Sequence, residues 1–268
     1  MIFGRKKNAA KQAAASEPTD AVETDTTDAA DAEPTDANTD GADNERETAA
    51  TGTKAEAPAA DTDRDWNAFD LSEDWREDGP FDLDEVDLEA DDVQRLDFGS
   101  LIVTPPPNCE IRLQVAEGTE TIVAILIVQE ESALELSVFS APRTPGLWAE
   151  IREQIIEQTE AANGTADCVE GPFGTELVRN VPMQLPDGRV GMQVTRTWVA
   201  EGPRWLLRGV IMGRAAMTSE VDNDVVGPLF DAFCDLVVRR GDDPKPVGDM
   251  LPLQLPEQAT AHRLPADD

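Results

Sequence analysis

The sequence lacks tyrosine and contains a single histidine, so two side chains that enzymes often use as acids and bases are almost missing. The histidine, His262, lies in the polar tail at the end of the chain, where a side chain is rarely held in a reacting geometry. Neither a Ser–His nor a Cys–His pair can then be placed on a folded site, and no GxGxxG or GxxxxGK motif occurs to hold a phosphate group. We predict a protein that is not an enzyme, with no catalytic residue, no metal site and no cofactor.

Cysteine is also scarce, and Cys109, Cys168 and Cys234 form no CxxC pair. Free cysteines in apolar contexts are usually buried as small hydrophobic side chains, and three scattered thiols do not suggest a disulfide framework. No apolar run reaches the roughly 18 residues of a membrane span, and the opening MIFGRKK is not followed by the apolar region of a secretory signal. The sequence therefore predicts a cytoplasmic protein without a membrane partner.

Basic residues are few: the chain has 22 lysines and arginines against 55 aspartates and glutamates, a net charge of -33. Residues 1–97 carry 29 acidic and 9 basic residues, and residues 98–240 contain no lysine. Such a charge repels nucleic acids and anionic membranes, and it favours a cationic partner. Nucleic acid is therefore disfavoured as a partner.

Large hydrophobic side chains are almost missing from residues 8–65, which consist mainly of Ala, Thr, Asp, Glu, Pro and Gly. A segment with so little apolar surface cannot offset the entropy lost on ordering. We predict that residues 1–65 form a disordered acidic arm with a basic tip.

The next segment, residues 66–95, remains acidic but gains aromatic residues, and we call it the strap. Its aromatic residues include Trp66, Phe69, Trp75 and Phe81. Exposed apolar clusters are rare without a purpose, and aromatic residues among acids are typical of interaction segments. Two interpretations remain open: the strap packs on the protein's own domain, or it binds a partner.

Residues 96–241 carry the patterns of one folded domain. Short apolar or alternating runs between Pro and Gly turns predict antiparallel strands, with TIVAILIVQ as the central one. One helix is predicted over 145–162, capped by Thr144, and a second over 219–239, kinked or restarted by Pro228. We predict an α+β fold, a mostly antiparallel sheet with two main helices on one face.

The arginines of the later strands are the remaining polar signal. Arg204 and Arg208 share a face at strand spacing, and we predict a candidate anion or acidic-segment site at Arg204, Arg208 and Arg196. The acidic residues 70–92 of the strap are candidates to fill this site. Alternatively, these arginines are solvated or paired with nearby carboxylates. Arg239 and Arg240 are predicted to close the last helix.

Residues 242–268 are predicted to form a proline-rich, extended tail. Leu251, Leu253 and Leu255 give this tail an apolar side. Two interpretations remain open here as well: the tail wraps back over the sheet or helices and completes the core, or it docks on another protein.

Several segments carry a family resemblance: MIFGRKK, RLDFGSLIVTP, SAPRTPGLW, EGPFGTE, RWLLRGV and VVRRGDDPKPVGDMLPLQLPE. They resemble an uncharacterised family of actinobacterial cytoplasmic proteins, a domain of unknown function. The resemblance covers Met1–Lys7 and about 95–257, and its most specific part is RRGDDPKPVGDMLPLQLP. It implies no assigned activity, cofactor or catalytic residue.

We therefore predict a non-enzymatic cytoplasmic interaction or adaptor protein with a protein partner. The candidate docking residues are Trp66, Phe69, Trp75, Phe81, Leu251, Leu253 and Leu255. The first alternative is a small-molecule or anion-binding domain, with or without enzymatic activity, that uses the arginine site. The second is a nucleic-acid-associated factor that uses Arg5, Lys6, Lys7 and Lys11 as a basic tip. The sequence leaves the oligomeric state open.

Overall fold

A computed structural model describes residues 4–5, 64–185 and 187–256. Most of the predicted acidic arm, the lysines of the basic tip and His262 lie outside the described residues. Within the described part of the chain, no helix is both long enough and apolar enough to cross a membrane.

The described residues form thirteen strands and three α-helices. In chain order the strands are β1 Gly4–Arg5, β2 Phe81–Asp82, β3 Val86–Asp87, β4 Leu96–Asp97, β5 Leu101–Val103, β6 Glu110–Val115, β7 Ile122–Gln129, β8 Ser132–Ser140, β9 Thr165–Gly171, β10 Gly174–Gln184, β11 Val190–Gly202, β12 Trp205–Gly213 and β13 Val237–Val238. The helices are α1 Trp66–Asp70, α2 Leu147–Ala161 and α3 Gly227–Cys234. Short 3-10 turns lie at Leu83–Glu85 and Arg214–Met217.

The longest described strands form one seven-stranded antiparallel sheet in the order β6-β7-β8-β12-β11-β10-β9. The prediction of a mostly antiparallel α+β fold is thus confirmed. The run TIVAILIVQ forms β7, which is second from one edge and is not the central strand. The nearly continuous apolar sequence of β7 suggests that both of its faces are buried. In the structure, however, the apolar side chains on its second face are only half-buried. The central strand is β12.

The central strand shows that both faces of the sheet are buried. Trp205, Leu207 and Ile211 lie in the main hydrophobic cluster, whereas Leu206 lies in a second cluster. Because side chains alternate between the two faces of a strand, these clusters lie on opposite faces.

Each main helix covers one of these faces. Leu147 and Trp148 of α2 belong to the second cluster with Leu206, while Leu229 and Phe233 of α3 belong to the main cluster. The helices therefore lie on opposite faces, and the prediction that both lie on one face is wrong. An amphipathic pattern indicates that one side of a helix is buried, but it does not indicate which side of a sheet the helix covers.

Helix α2 begins at Leu147, with Gly146 rather than the predicted Thr144 at its N-cap position. Its cap comes instead from the end of β11. The carboxylate of Glu201 accepts hydrogen bonds from the backbone N–H groups of Gly146, Leu147 and Trp148 at 2.9, 2.9 and 3.3 Å. A carboxylate here satisfies unpaired donors and complements the positive end of the helix dipole.

Helix α3 covers Gly227–Cys234 and is shorter than the predicted helix over 219–239. Pro228 lies in its first turn, where the fixed φ of proline and its missing N–H are well tolerated. Pro228 therefore starts this helix. The β-branched residues Val237 and Val238 follow this helix in the chain and form β13. Arg239 and Arg240 therefore follow a strand and do not close a helix.

The middle of the strap belongs to the fold of the domain. Strand β2 pairs in parallel with β13 in a four-stranded sheet of order β2-β13-β5-β4, and β1 pairs with β3. Phe81 is buried, and its backbone N–H donates to the carbonyl oxygen of Leu236 at 2.9 Å. The carboxylate of Asp82 accepts from the indole N–H of Trp205 at 2.7 Å.

The tail returns to the large sheet and completes its core. The backbone N–H of Leu251 donates to the carbonyl oxygen of Val138 at 2.8 Å, and that of Gln254 donates to Phe98 at 2.8 Å. Leu251 and Leu253 are buried in the main cluster. This part of the tail is thus used by the protein's own domain.

We predict that Trp205→Phe lowers the free energy of unfolding by about 2–3 kcal/mol, because Oδ2 of Asp82, a residue only 9 % exposed, loses its donor while Oδ1 keeps the backbone N–H of Asp84. Urea denaturation of Trp205→Phe, Asp82→Ala and the double variant should give a coupling energy of about 1 kcal/mol or more. As a control, the same double-mutant cycle with the exposed Glu89→Ala in place of Asp82→Ala should give a coupling energy near zero. A coupling near zero for Asp82 would contradict this contact.

Candidate functional site

Arg196 lies inside the fold, where a carboxylate of its own sheet neutralises it. It is 5 % exposed on β11, its Nε–H donates to Glu176 of β10, and its Nη1 donates to the carbonyl oxygen of Thr218. Glu176 is also buried and accepts from the indole N–H of Trp198 at 3.3 Å. Buried charges persist only when they are paired in this way. Arg196 is therefore not accessible to a ligand.

Arg208 lies on the opposite face of the sheet, the face that carries Leu206. Its guanidinium lies 5.2 Å from the ring centroid of Phe139, a cation–π geometry. Burial lowers the pKa of Arg208, and the nearby charge of Glu135 acts against this shift. Among the described residues, its Nε–H has no hydrogen-bond acceptor.

Arg204 lies in the turn between β11 and β12, with a φ of 67°. Its carbonyl oxygen accepts from the backbone N–H of Ala141 and from Nε–H of Arg240, both at 3.0 Å. Strand spacing does not apply to a turn residue, so Arg204 does not share a strand face with Arg208. The structure therefore does not bring Arg204, Arg208 and Arg196 together in one anion site.

The predicted docking residues differ in accessibility. Phe81, Leu251 and Leu253 are buried in the domain, so they do not form a docking surface in this structure. Leu255, further along the tail, is 54 % exposed. The sequence could not distinguish the buried docking residues from the exposed one, because their burial depends on where the strap and the tail pack against the sheet.

Trp66, Phe69 and Trp75 form a half-buried aromatic row on the strap. The ring centroids of Trp66 and Phe69 lie 5.8 Å apart, and those of Phe69 and Trp75 lie 4.8 Å apart. The guanidinium of Arg64 lies 4.1 Å from the ring centroid of Phe69. The aromatic row is thus able to accommodate an arginine side chain.

An ion pair fixes the strap to the second face of the sheet. Asp70 accepts from Arg152 of α2 at 2.6 Å and from the backbone N–H of Thr175 at 2.7 Å. Arg152 is 4 % exposed and also donates to the side chain of Asn67 at 2.8 Å. Arg152 was not among the predicted site residues, although it follows Trp148 by four residues and so lies on the buried side of α2. A charged residue on the apolar side of a helix indicates a buried ion pair, and this was the signal that could have identified Arg152.

A cleft of about 210 Å³ lies between the strap and the start of α2, and we call it the strap cleft. Residues 70, 71 and 73–76 form its strap wall, and its other residues include Pro145, Trp148 and Phe173. Trp75 lines the cleft, and its indole N–H has no hydrogen-bond partner among the described residues. Aromatic side chains thus come from both sides of the cleft.

The unpaired charges at the strap cleft are acidic. Arg76 is neutralised by Glu85, to whose carboxylate it donates two hydrogen bonds of 3.0 Å. Glu73 forms no side-chain hydrogen bond or ion pair within the described residues, and the carboxylate of Asp74 accepts only from the backbone N–H of Arg76, at 3.2 Å. Leu71 is 64 % exposed beside them. The rim of the cleft therefore combines an exposed apolar side chain with two accessible carboxylates.

The thiols of the chain are poorly suited to nucleophilic chemistry. Burial raises the pKa of Cys109 and of Cys168, and it raises the pKa of Cys234 to about 12. They are therefore protonated at neutral pH, whereas the thiolate is the nucleophilic form. Within the described ranges, no cluster of three or more His, Cys, Asp or Glu side chains is arranged to hold a metal ion.

A family model described as "Protein of unknown function (DUF3710)" matches residues 79–262 of the chain. The chain belongs to this family. This confirms the resemblance to a domain of unknown function. The DUF3710 match includes the whole seven-stranded sheet, both main helices and the returning tail, whereas the aromatic row and the strap wall of the strap cleft precede it.

Two solved structures are weakly similar to this DUF3710 protein. The solution structure of cyanobacterial PsbP (CyanoP) from Synechocystis sp. PCC 6803 has 13% sequence identity and a TM-score of 0.30, and the match covers 55% of this chain and 92% of that one. A crystal structure from Bacteroides thetaiotaomicron VPI-5482 has 12% identity and a TM-score of 0.31, covering 55% of this chain and 48% of that one. Similarities this low carry no functional argument. No curated protein matches the chain.

We predict that Asp70→Asn releases the strap of this DUF3710 protein from α2, because Arg152 loses its carboxylate in a buried site. Amide hydrogen exchange over residues 66–76 should rise by about tenfold or more, while exchange in β7 and β8 stays unchanged. Glu73→Gln is the matched control, since it removes the same charge from an unpaired acid of the strap. Unchanged exchange in Asp70→Asn would contradict the anchoring role.

Proposed function

We propose that this protein is a non-enzymatic cytoplasmic interaction protein whose strap cleft binds a basic segment of a protein partner. The observation that carries the proposal is the rim of the cleft. There, Leu71 is 64 % exposed beside the carboxylates of Glu73 and Asp74, which form no ion pair within the described residues. An exposed apolar side chain next to free charges is typical of a surface that a partner covers.

The chemistry of the cleft favours a partner with arginine or lysine side chains. Carboxylates attract such side chains, and aromatic rings bind cations through their faces. Arg64 already lies over Phe69 in this way at the neighbouring aromatic row. The net charge of -33 also favours encounter with a basic molecule over an acidic one.

The state of the cysteines supports the cytoplasmic part of the proposal. Cys109, Cys168 and Cys234 are all free. Free thiols persist in a reducing compartment, and disulfides are rare there.

We predict that a fluorescein-labelled peptide of alternating arginine and leucine binds the full-length protein, as measured by fluorescence anisotropy at physiological salt. Replacing both Glu73 and Asp74 with lysine should weaken this binding by about tenfold or more, because the cleft then repels the peptide. Replacing Leu71 with serine should also weaken it, because the apolar contact is lost.

Glu89→Lys with Asp92→Lys is the matched control, since it changes the net charge equally on an exposed part of the strap away from the cleft. This control should bind the peptide within about twofold of the wild type, since exposed charges at a distance are largely screened. Equal weakening in both double variants would mean that the peptide responds only to overall charge, and it would overturn the proposal.

A further inference from the structure

A second cleft, of about 320 Å³, lies between the segment that follows β13 and the returning tail. Its lining includes Ser100, Arg239, Arg240, Lys245 and Pro252, and we call it the basic cleft. Lys245 is the only lysine among the residues that the structure describes. Three basic residues thus line one cavity in a protein whose net charge is -33.

Arg240 is held by neutral oxygens, and it contacts no carboxylate among the described residues. Its Nε–H donates to the carbonyl oxygen of Arg204 at 3.0 Å, its Nη1 donates to that of Asp243 at 3.1 Å, and its Nη2 donates to Ser140 Oγ at 3.2 Å. Burial and the charge of Arg204 lower the pKa of Arg240, and the nearby charge of Asp243 acts against this shift. A guanidinium stays protonated in such surroundings, so its positive charge is left for an external anion.

Arg239 is oriented by an ion pair that uses only part of its guanidinium. Its Nη1 donates to Asp97 at 2.8 Å and to the carbonyl oxygen of Gly99 at 2.9 Å. Burial alone would raise the pKa of Asp97, but the hydrogen bonds from Arg239 and from the backbone N–H of Gly99 lower it below its usual value. Within the described residues, Nε and Nη2 of Arg239 donate no hydrogen bond. These donors remain available to a ligand.

Lys245 is exposed and forms no ion pair within the described part of the chain. It lies between Pro244 and Pro246, whose rings restrict the backbone on both sides. Its carbonyl oxygen accepts from the hydroxyl of Ser140 at 3.2 Å. The segment that carries the ammonium group is therefore constrained before any ligand binds, which reduces the entropy lost on binding.

We propose that the basic cleft binds the phosphate group of a small phosphorylated molecule. A phosphate group offers several strong acceptor oxygens and more negative charge than a carboxylate, which suits two guanidinium groups and one ammonium group. The cleft volume is of the size that small-molecule sites occupy. Leu251 and Pro252 add apolar surface for the organic part of the ligand. This site is independent of the strap cleft.

The test is isothermal titration calorimetry of the full-length protein with inorganic phosphate and with adenosine monophosphate. Lys245→Gln should weaken binding by about tenfold, because a charged donor is lost from an exposed position that the fold does not need. Arg112→Gln, which removes the same charge from an exposed ion pair on β6, should bind as the wild type does. Asp243→Asn should tighten binding, because it removes the one carboxylate among the described residues that line the cleft.

The two probes distinguish the sources of the phosphate group. Tighter binding of adenosine monophosphate would support an organic phosphate. Equal affinities would assign the cleft to inorganic phosphate and would overturn the role of Leu251 and Pro252 in binding an organic part. The proposal is overturned if neither probe binds at millimolar concentration. It is also overturned if Lys245→Gln and Arg112→Gln weaken binding equally.

Discussion

The hydrogen bond between the indole of Trp205 and the carboxylate of Asp82 joins the large sheet to the strap. Trp205 is fully buried at the start of the central strand, and the guanidinium of Arg76 lies 5.2 Å from its ring centroid. A Cβ atom at Gly202, the residue paired with Trp205 in β11, would lie 2.1 Å from this ring, so the close packing requires glycine. Trp205 thus holds the large sheet, the β11–β12 hairpin and the strap together. Arg76 lines the strap cleft and lies over the ring of Trp205, so the strap wall of the cleft contacts this junction.

An acidic protein has few cations, and this one uses several of them inside the fold. Arg152 holds the strap through Asp70, and Arg196 neutralises Glu176 within the sheet. These pairs are nearly buried, so losing one partner is far more destabilising than losing a partner at the surface. The surface consequently carries an excess of carboxylates, which repel polyanions. The basic cleft is the local exception, since Arg240 is held there by neutral oxygens.

The strands and helix α2 could be predicted because their periodic patterns are local. The side of the sheet that each helix covers could not, since it depends on the path of the connection. Strand spacing failed at Arg204 because a turn with positive φ interrupts it. Of the aromatic residues that line the strap cleft, Trp75 was predicted as a docking residue and Phe173 was not, because it lies in a turn without a periodic pattern. Arg152, which fixes the strap, could have been predicted from its position on α2. The basic cleft could not be predicted, because the sequence pattern predicts a helix where β13 forms. The cleft also exists only where the tail packs back against the large sheet.

The hairpin between β11 and β12 separates two clefts of opposite charge. Before the turn, Glu201 directs its carboxylate to the start of α2 at the strap cleft. In the turn itself, the carbonyl oxygen of Arg204 accepts a hydrogen bond from Arg240 of the basic cleft. One end of the domain therefore carries a local electric dipole that the net charge of -33 conceals. At long range the net charge attracts or repels an approaching molecule, and near the hairpin the dipole also exerts a torque on it. A charged partner would thus be rotated into a preferred orientation before any side chain touches it.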